Sequence, residues 1–354
     1  MHTPARCLAP SLLVAMLALP VLGAAAPVAV DAQFKPAEAA PRVFKVGSGS
    51  ALKGLQKVAL TQLAVEFLTY DTQSASTSRF ATSNVAHAHT YFHLGGVGET
   101  QFQALAERAQ AAVIDSLKAA GLEVLPPAEL HAAPGYRKLA DAGQALPMRE
   151  SGRVVVGPAG TAVYGLNRGQ ITAPTAQRSN ALGALGNLAN IGSGLGSMSA
   201  IPDSMALQKE LGVNGLIEIH LRVHFVELTN ENKGFFGRND AAVVSARAYP
   251  VITATHVGIL TGTTYATMTL KDPLVLDPAV FVEVKERPTT TGEAAAGVLG
   301  AVLNAAAALA GGTTNASKSA TYDAIADPAR YEEVVGQGLK AVAEMVALQV
   351  QSNR

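Results

Sequence analysis

The sequence predicts a mixed α/β (α+β) fold: a largely antiparallel sheet packed with helices, one core interrupted by two low-complexity Ala/Gly-rich insertions. Three observations carry that prediction. Gly215 to Leu228 (GLIEIHLRVHFVEL) alternates strictly, with Ile217, Ile219, Leu221, Val223 and Phe225 apolar and Glu218, His220, Arg222 and His224 polar. Such a period of two marks a strand with one buried and one solvated face, as in antiparallel or mixed sheets. Ala241 to Leu260 and Thr263 to Leu270 read as two more strands, joined by Thr261-Gly262. Two amphipathic helices, one following residue 100 and one closing the chain, supply a second layer.

The opening segment, residues 1–32, reads as an export signal and its processing region. Arg6 supplies the positive charge, Leu8 to Leu22 is apolar but too short to span a bilayer, and Gly23-Ala-Ala-Ala offers small residues for cleavage. Cleavage after Ala25 or after Ala32 fits, because Pro27 directly after the cut makes a poor substrate. The single cysteine, Cys7, precedes the apolar stretch. It is not placed as a lipid-anchor cysteine and leaves with the signal. The mature chain is therefore expected in the periplasm without disulfides, thiolate metal sites or a Cys nucleophile.

Residues 33–52 read as a linker, and 53–354 as a single domain with insertions at 143–202 and 287–320. Lys57 to Tyr70 is the first strand, Asp71 to Ser83 a polar Ser/Thr loop, and Asn84 to Leu94 a second strand. Thr100 with Gln103 forms a capping box. The helix it opens aligns Phe102, Leu105, Ala109, Val113 and Leu117 and stops at Gly121. Leu122 to Leu125 is a short strand. Asp203 caps a short helix ending at Leu211-Gly212, and Thr229 to Asp240 is a hairpin tip. Pro250, with no N–H, puts its strand near an edge or a bulge. Asp327 as N-cap and Pro328 at the first helical position start the closing helix.

Composition sets limits on function. Lys plus Arg and Asp plus Glu both number 27, so the formal charge is zero. That excludes the basic field that nucleic acid requires and a polybasic grip on anionic lipid. With 49% apolar and 15% charged residues the chain can build a core. It carries neither a G-x-S-x-G nor an H-E-x-x-H motif.

Four groups of residues invite a chemical reading. His87, His89 and His93 share one face of a strand. His87 and His89, about 7 Å apart, could chelate Zn²⁺ or Cu²⁺; His93 lies about 13 Å from His89 and needs a bend, or help from His220 and His224. Glu218, His220, Arg222 and His224 form a polar strand face, read first as solvated. Phe235 and Phe236, between Gly234 and Gly237, are two adjacent aromatics at a loop apex that suit a partner or membrane contact. Ala296, Gly300, Ala308 and Gly312 are small residues spaced by fours or multiples of four, a row that lets helices approach closely for self-association or membrane contact. The Gly95-Gly-Val-Gly98 turn before a helix lacks dinucleotide spacing, and Glu99 would repel a phosphate.

Leu211-Gly-Val-Asn-Gly-Leu-Ile-Glu-Ile, a long hairpin, then Ala254-Thr-His-Val-Gly-Ile-Leu-Thr-Gly-Thr-Thr-Tyr-Ala-Thr resembles the C-terminal half of the curli-secretion (CsgG-like) α/β domain of bacterial envelope proteins. The resemblance covers roughly residues 55–130 and 203–350 and rests on pattern and order. It implies an envelope assembly or scaffolding role and a ring oligomer. The family's secretion members carry two membrane-inserting β-hairpins within this core. The two insertions here are Ala/Gly-rich rather than alternating. The expectation is an exported, non-enzymatic envelope protein without a resident cofactor. It would act through envelope proteins, self-association or the outer membrane. The alternative is a periplasmic metal- or small-ligand-binding protein using the histidine strand.

Overall fold

The computed structural model describes residues 27–76, 87–165, 200–233, 241–288 and 317–354. The chain enters through strand β1 (Val28–Ala29), helix α1 (Pro36–Val43) and strand β2 (Phe44–Gly47). Ala39, Ala40, Val43, Phe44 and Leu52 are buried in the main core. Residues 33–52 are therefore part of the domain and not a linker. The eight-residue α1 holds Pro36 in its first turn and Pro41 inside, which hides it from a periodicity reading.

Strand β3 (Lys57–Leu68) matches the expected first strand and is buried along nearly all its length. The chain then continues as strand β4 (Tyr70–Ser76), where its Ser/Thr content had suggested a loop. Seven residues of β4 pair with strand β5 (His87–Gly95), and that ladder overrides the weak local preference. Helix α2 (Glu99–Ala119) begins one residue before Thr100. Gly98 takes the N-cap position, and its N–H donates to Gln101 Oε1 at 3.0 Å. The expected apolar row of α2 is buried, and Gly121 at φ +82° ends the helix in the left-handed region that glycine tolerates.

Strand β6 (Glu123–Val124), helices α3 (Pro127–Ala132) and α4 (Pro134–Asp141), and strands β7 (Gln144–Ala145), β8 (Met148–Glu150), β9 (Arg153–Val156) and β10 (Ala162–Val163) follow. The first insertion thus does not start at 143: β9 pairs with β3 and belongs to the main sheet. Helix α5 (Ile201–Glu210) starts ahead of Asp203, which lies in its first turn rather than at its cap. Strands β11 (Gly215–Lys233), β12 (Ala241–Thr261) and β13 (Thr264–Leu270) form the expected hairpin and meander. Their pairing runs out to Lys233 opposite Ala241, so the arms consume much of the span read as a hairpin tip. His224 opposes Val251 while Val226 opposes Ala248. Pro250 therefore sits at a bulge, where its missing N–H breaks no ladder bond. Strands β14 (Leu274–Val275), β15 (Phe281–Arg287) and β16 (Ser317–Ala326) lead to helix α6 (Pro328–Asn353). Asp327 caps α6 as expected, accepting from Arg330 N at 2.7 Å.

The main sheet runs β1-β14-β12-β11-β3-β9-β8, with β13 beside β12 and β2 beside β13. Its first face carries Leu63, Val65, Phe67, Ile217, Ile219, Leu221 and Val223 into one cluster with α2 and α6. Phe67 stacks on Phe102 at 4.4 Å between ring centroids. On the opposite face a smaller layer of α3, α4 and α5 covers Ala59, Leu216 and Leu260 through Leu130, Tyr136, Leu139 and Leu207. A second sheet, ordered β15-β16-β5-β4, joins the first through Leu68, Phe92, Phe225, Val226 and Ala324.

Phe102 is the α2 side chain that stacks on the sheet, through Phe67. Its replacement by Ala removes a stacked, buried ring, and should cost about 3–5 kcal/mol in denaturant unfolding with the slope unchanged.

Candidate functional site

The polar face of β11 is not solvated. His220, Arg222 and His224 are each no more than 3% exposed, and the reading of a wet strand face is corrected. Alternation shows which residues share a face; it does not show whether a second layer covers that face. A buried lattice of charge crosses β9, β3 and β11 in its place.

A bulge on β3 sets the lattice up. Leu60 pairs with Ile217, but Gln62 pairs with Glu218, so Thr61 is skipped. Thr61 Oγ1 donates to Ile217 O at 3.1 Å in that gap. The skip changes the face of every later β3 residue relative to its neighbour. Glu66 consequently stands beside Arg222, and Ala64 beside His220.

Glu66 is the hub and is fully buried. Its Oε1 accepts from Arg153 Nη1 at 2.9 Å, and its Oε2 accepts from Arg222 Nε at 3.0 Å. His220 Nε2 lies 3.2 Å from the same Oε2. Arg153 also donates to Glu150 Oε2 through Nε at 2.9 Å. Two guanidiniums thus meet two carboxylates, and the charges balance. Burial pushes the Glu66 carboxyl up, but Arg222, His220 and Arg153 outweigh it and hold the group at about 2.

A second chain of polar groups runs beside the first. Gln62 Nε2 donates to Glu218 Oε2 at 2.9 Å, and Tyr265 Oη donates to Glu218 Oε1. His256 Nε2 lies 3.3 Å from Tyr265 Oη. Gly258 makes this reach possible, since a Cβ there would collide with Tyr265 Oη and Glu218 Oε1. Burial raises Glu218 to about 7 against its hydrogen bonds from Tyr265 and Gln62. Burial lowers His256 to about 4, helped by His220. His224 is lowered to about 3 by burial and then by Arg222. Both of its ring nitrogens lack a hydrogen-bond partner among the described residues.

Sequence reading named the β11 half of this lattice and missed Gln62, Glu66, Arg153, His256 and Tyr265. Gln62 and Glu66, four residues apart inside an otherwise apolar strand, were the available signal. Arg153, the partner of Glu66, comes from a stretch that composition had assigned to an insertion.

The histidine strand lies elsewhere. β5 sits between β16 and β4, with His87 opposite Ser76 and Ser317, His89 opposite Ser74 and Ser319, and His93 opposite Tyr70 and Asp323. The Tyr70 and His93 rings approach to 4.9 Å. His220 and His224 belong to the other sheet and are not ladder neighbours of β5. No group of three or more His, Cys, Asp or Glu able to hold a metal occurs among the described residues. Phe235, Phe236, Gly300 and Ala308 lie outside the described residues. At the N-terminus of α2, Glu99 is held by Arg149 through Nε at 2.7 Å.

No family model matches the chain, and neither does any curated protein or solved structure. No catalytic assignment therefore reaches this chain from a relative. Among the described residues, no helix is long and apolar enough to cross a membrane. The lattice itself is a set of mutually satisfied charges inside a sheet, an arrangement that fixes strand register.

Two outcomes are expected. Replacing Glu66 by Ala strands the buried Arg222 guanidinium and leaves Arg153 with Glu150 alone, and should cost about 3–5 kcal/mol in chemical denaturation. Acid should also unfold the protein in a defined window. The unfolded chain binds protons at histidines of ordinary value 6.5, whereas His224 and His256 resist them down to about 3 and 4. Their contribution is full above 6.5 and is lost as pH falls towards 3. Glu66 adds the same sign between 4.5 and about 2. Glu218 has the opposite sign, stabilising below 4.5 and losing that effect as pH rises to about 7. A His224→Leu variant should therefore show a shallower fall of melting temperature between pH 6.5 and 3 than the parent.

Proposed function

We propose that this chain is an exported, non-enzymatic envelope protein that assembles with further copies of itself through the edges of its four-stranded sheet. The curli-secretion-like resemblance and the export signal give the setting. One observation carries the assembly itself. Leu94, Ala324 and Val284 lie in one row across β5, β16 and β15. Ala324 is fully buried, whereas Val284 is 49% exposed and Val282 67% exposed. Apolar surface therefore continues past the last strand, and no strand pairs with the outer edge of β15 among the described residues. An open edge with exposed valines is a template for strand addition.

The opposite edge of the same sheet, β4, has no further strand beside it either among the described residues. Pairing β15 of one copy with β4 of the next is heterologous, and gives a ring when the rotation between copies closes. The end of β4 at Ser76, the start of β5 at His87 and the start of β16 at Ser317 lie at one end of this sheet, because Ser76 and Ser317 both pair with His87. A ring would gather those strand ends on one side, which supports contact with a partner or an outer membrane there.

Light-scattering chromatography of the mature protein, with and without liposomes, tests the proposal. A mass that is a multiple of the monomer is expected, reduced to the monomer by Val282→Lys with Val284→Lys. A monomer under every condition, unaltered by lipid, would overturn it.

A further inference from the structure

We infer that the export signal is cut between Ala25 and Ala26, so that the mature chain starts at Ala26. The inference rests on the export reading above and chooses between the two cuts that the sequence permits. The choice comes from what residues 28–34 do in the fold.

Val28 and Ala29 form β1, a parallel edge strand on Leu274 and Val275 of β14. Val28 N donates to Pro273 O at 2.9 Å, and Val30 N donates to Val275 O at 2.8 Å. Val28, Val30 and Phe34 pack against the main core. Between β1 and α1 the chain reverses at Asp31. Its Oδ1 accepts from Gln33 N at 2.8 Å, and its carbonyl accepts from Phe34 N at 3.0 Å. A cut after Ala32 falls inside this turn. It would discard the strand, both of its ladder bonds and the Asp31 acceptor, and leave Phe34 next to a free terminus.

What β1 covers raises the consequence of losing it. Leu274 and Leu276 on either side of Val275 are 0% and 2% exposed. Leu276 is wedged against α6 so tightly that a Cβ on Gly338 would lie 2.8 Å from both of its methyl carbons. Removing β1 bares the outer edge of β14, whose last residue, Val275, directly precedes that wedge.

The remaining sites are then few. Cutting after Ala26 puts Pro27 directly behind the scissile bond. Cutting after Ala25 places the small residues Gly23 and Ala25 at the two positions that a signal peptidase reads, and leaves only Ala26 and Pro27 ahead of β1. In this step water adds across the Ala25–Ala26 peptide bond, giving a carboxylate on Ala25 and an ammonium on Ala26, with a signal peptidase as catalyst.

The test is the N-terminus of the full-length chain expressed in a Gram-negative host and recovered from the periplasm, read by intact mass and Edman sequencing. A start at Ala26 is expected. A start at Gln33 in periplasmic material overturns the inference and leaves export standing. A chain that keeps residues 1–25 and stays in the cytoplasm overturns export, and this inference with it. A second comparison needs no export: chains beginning at Ala26 and at Gln33 are made directly and melted. The shorter chain should melt at the lower temperature, and equal melting would show that β1 does not belong to the stable fold.

Discussion

The carboxylate of Glu66 lies on β3 between two guanidiniums, one from β9 and one from β11, and the main sheet is arranged around keeping it paired. A charge this deep is tolerated only when opposite charges and hydrogen bonds replace the water it has lost. Three strands must therefore hold one register: β9 antiparallel to β3, and β3 parallel to β11. The skipped Thr61 is what brings Glu66 onto the face where Arg222 and His220 wait. Slipping any of these strands by one residue would turn its charge towards Phe67, Phe102 and the helix layer. The lattice thus restricts the sheet to one alignment, even where its net contribution to stability is small.

That requirement explains how far the sequence could be read. The class of fold, β11 to β13, the buried row of α2 and the Asp327–Pro328 start of α6 were legible, because each rests on local periodicity or capping chemistry. Three things were not. The second coverage of β11 depends on α3, α4 and α5 arriving from distant parts of the chain, and no local pattern records that. The strand nature of β4 depends on seven ladder pairs with β5, against a Ser/Thr composition that favours loops. The docking of α1 depends on Ala39, Ala40 and Val43 finding α6, and a helix of eight residues with an internal proline shows too little periodicity to be seen. Of the candidate site, the β11 side chains were grouped on one face, as the structure has them, and placed in the wrong solvent. The histidine strand was placed correctly as a strand, while its partners across the ladder came only with the topology.

The two sheets divide two tasks. Around β3 and the first part of β11 the main sheet is covered on both faces and pairs its charges internally, which suits a rigid body. The four-stranded sheet is anchored at one end by Phe92 and Ala324 and, among the described residues, is open along β15, with valines where an isolated protein would place charge. Glu283, Lys285 and Glu286 share that strand with the valines, so the edge is mixed in character. Such an edge would rely on a matching partner strand rather than on apolar area alone.

The corner between the sheets gives the molecule a mechanical property. β3 passes into β4 through the single residue Thr69, and the N–H groups of Thr69 and Tyr70 both donate to Gly152 O, at 2.9 and 3.2 Å. Leu94 N donates to Thr69 O at 2.9 Å from the other side. The bend is thus clamped by the turn that precedes β9 and by the end of β5. A pull applied to the tip of the four-stranded sheet runs down β4, through this clamp, and into β3 only three residues from Glu66. There it meets β3 paired parallel with β11 and antiparallel with β9, with the ionic lattice as cross-bracing, so that force on the outer sheet passes into strands that the Glu66 charges tie together.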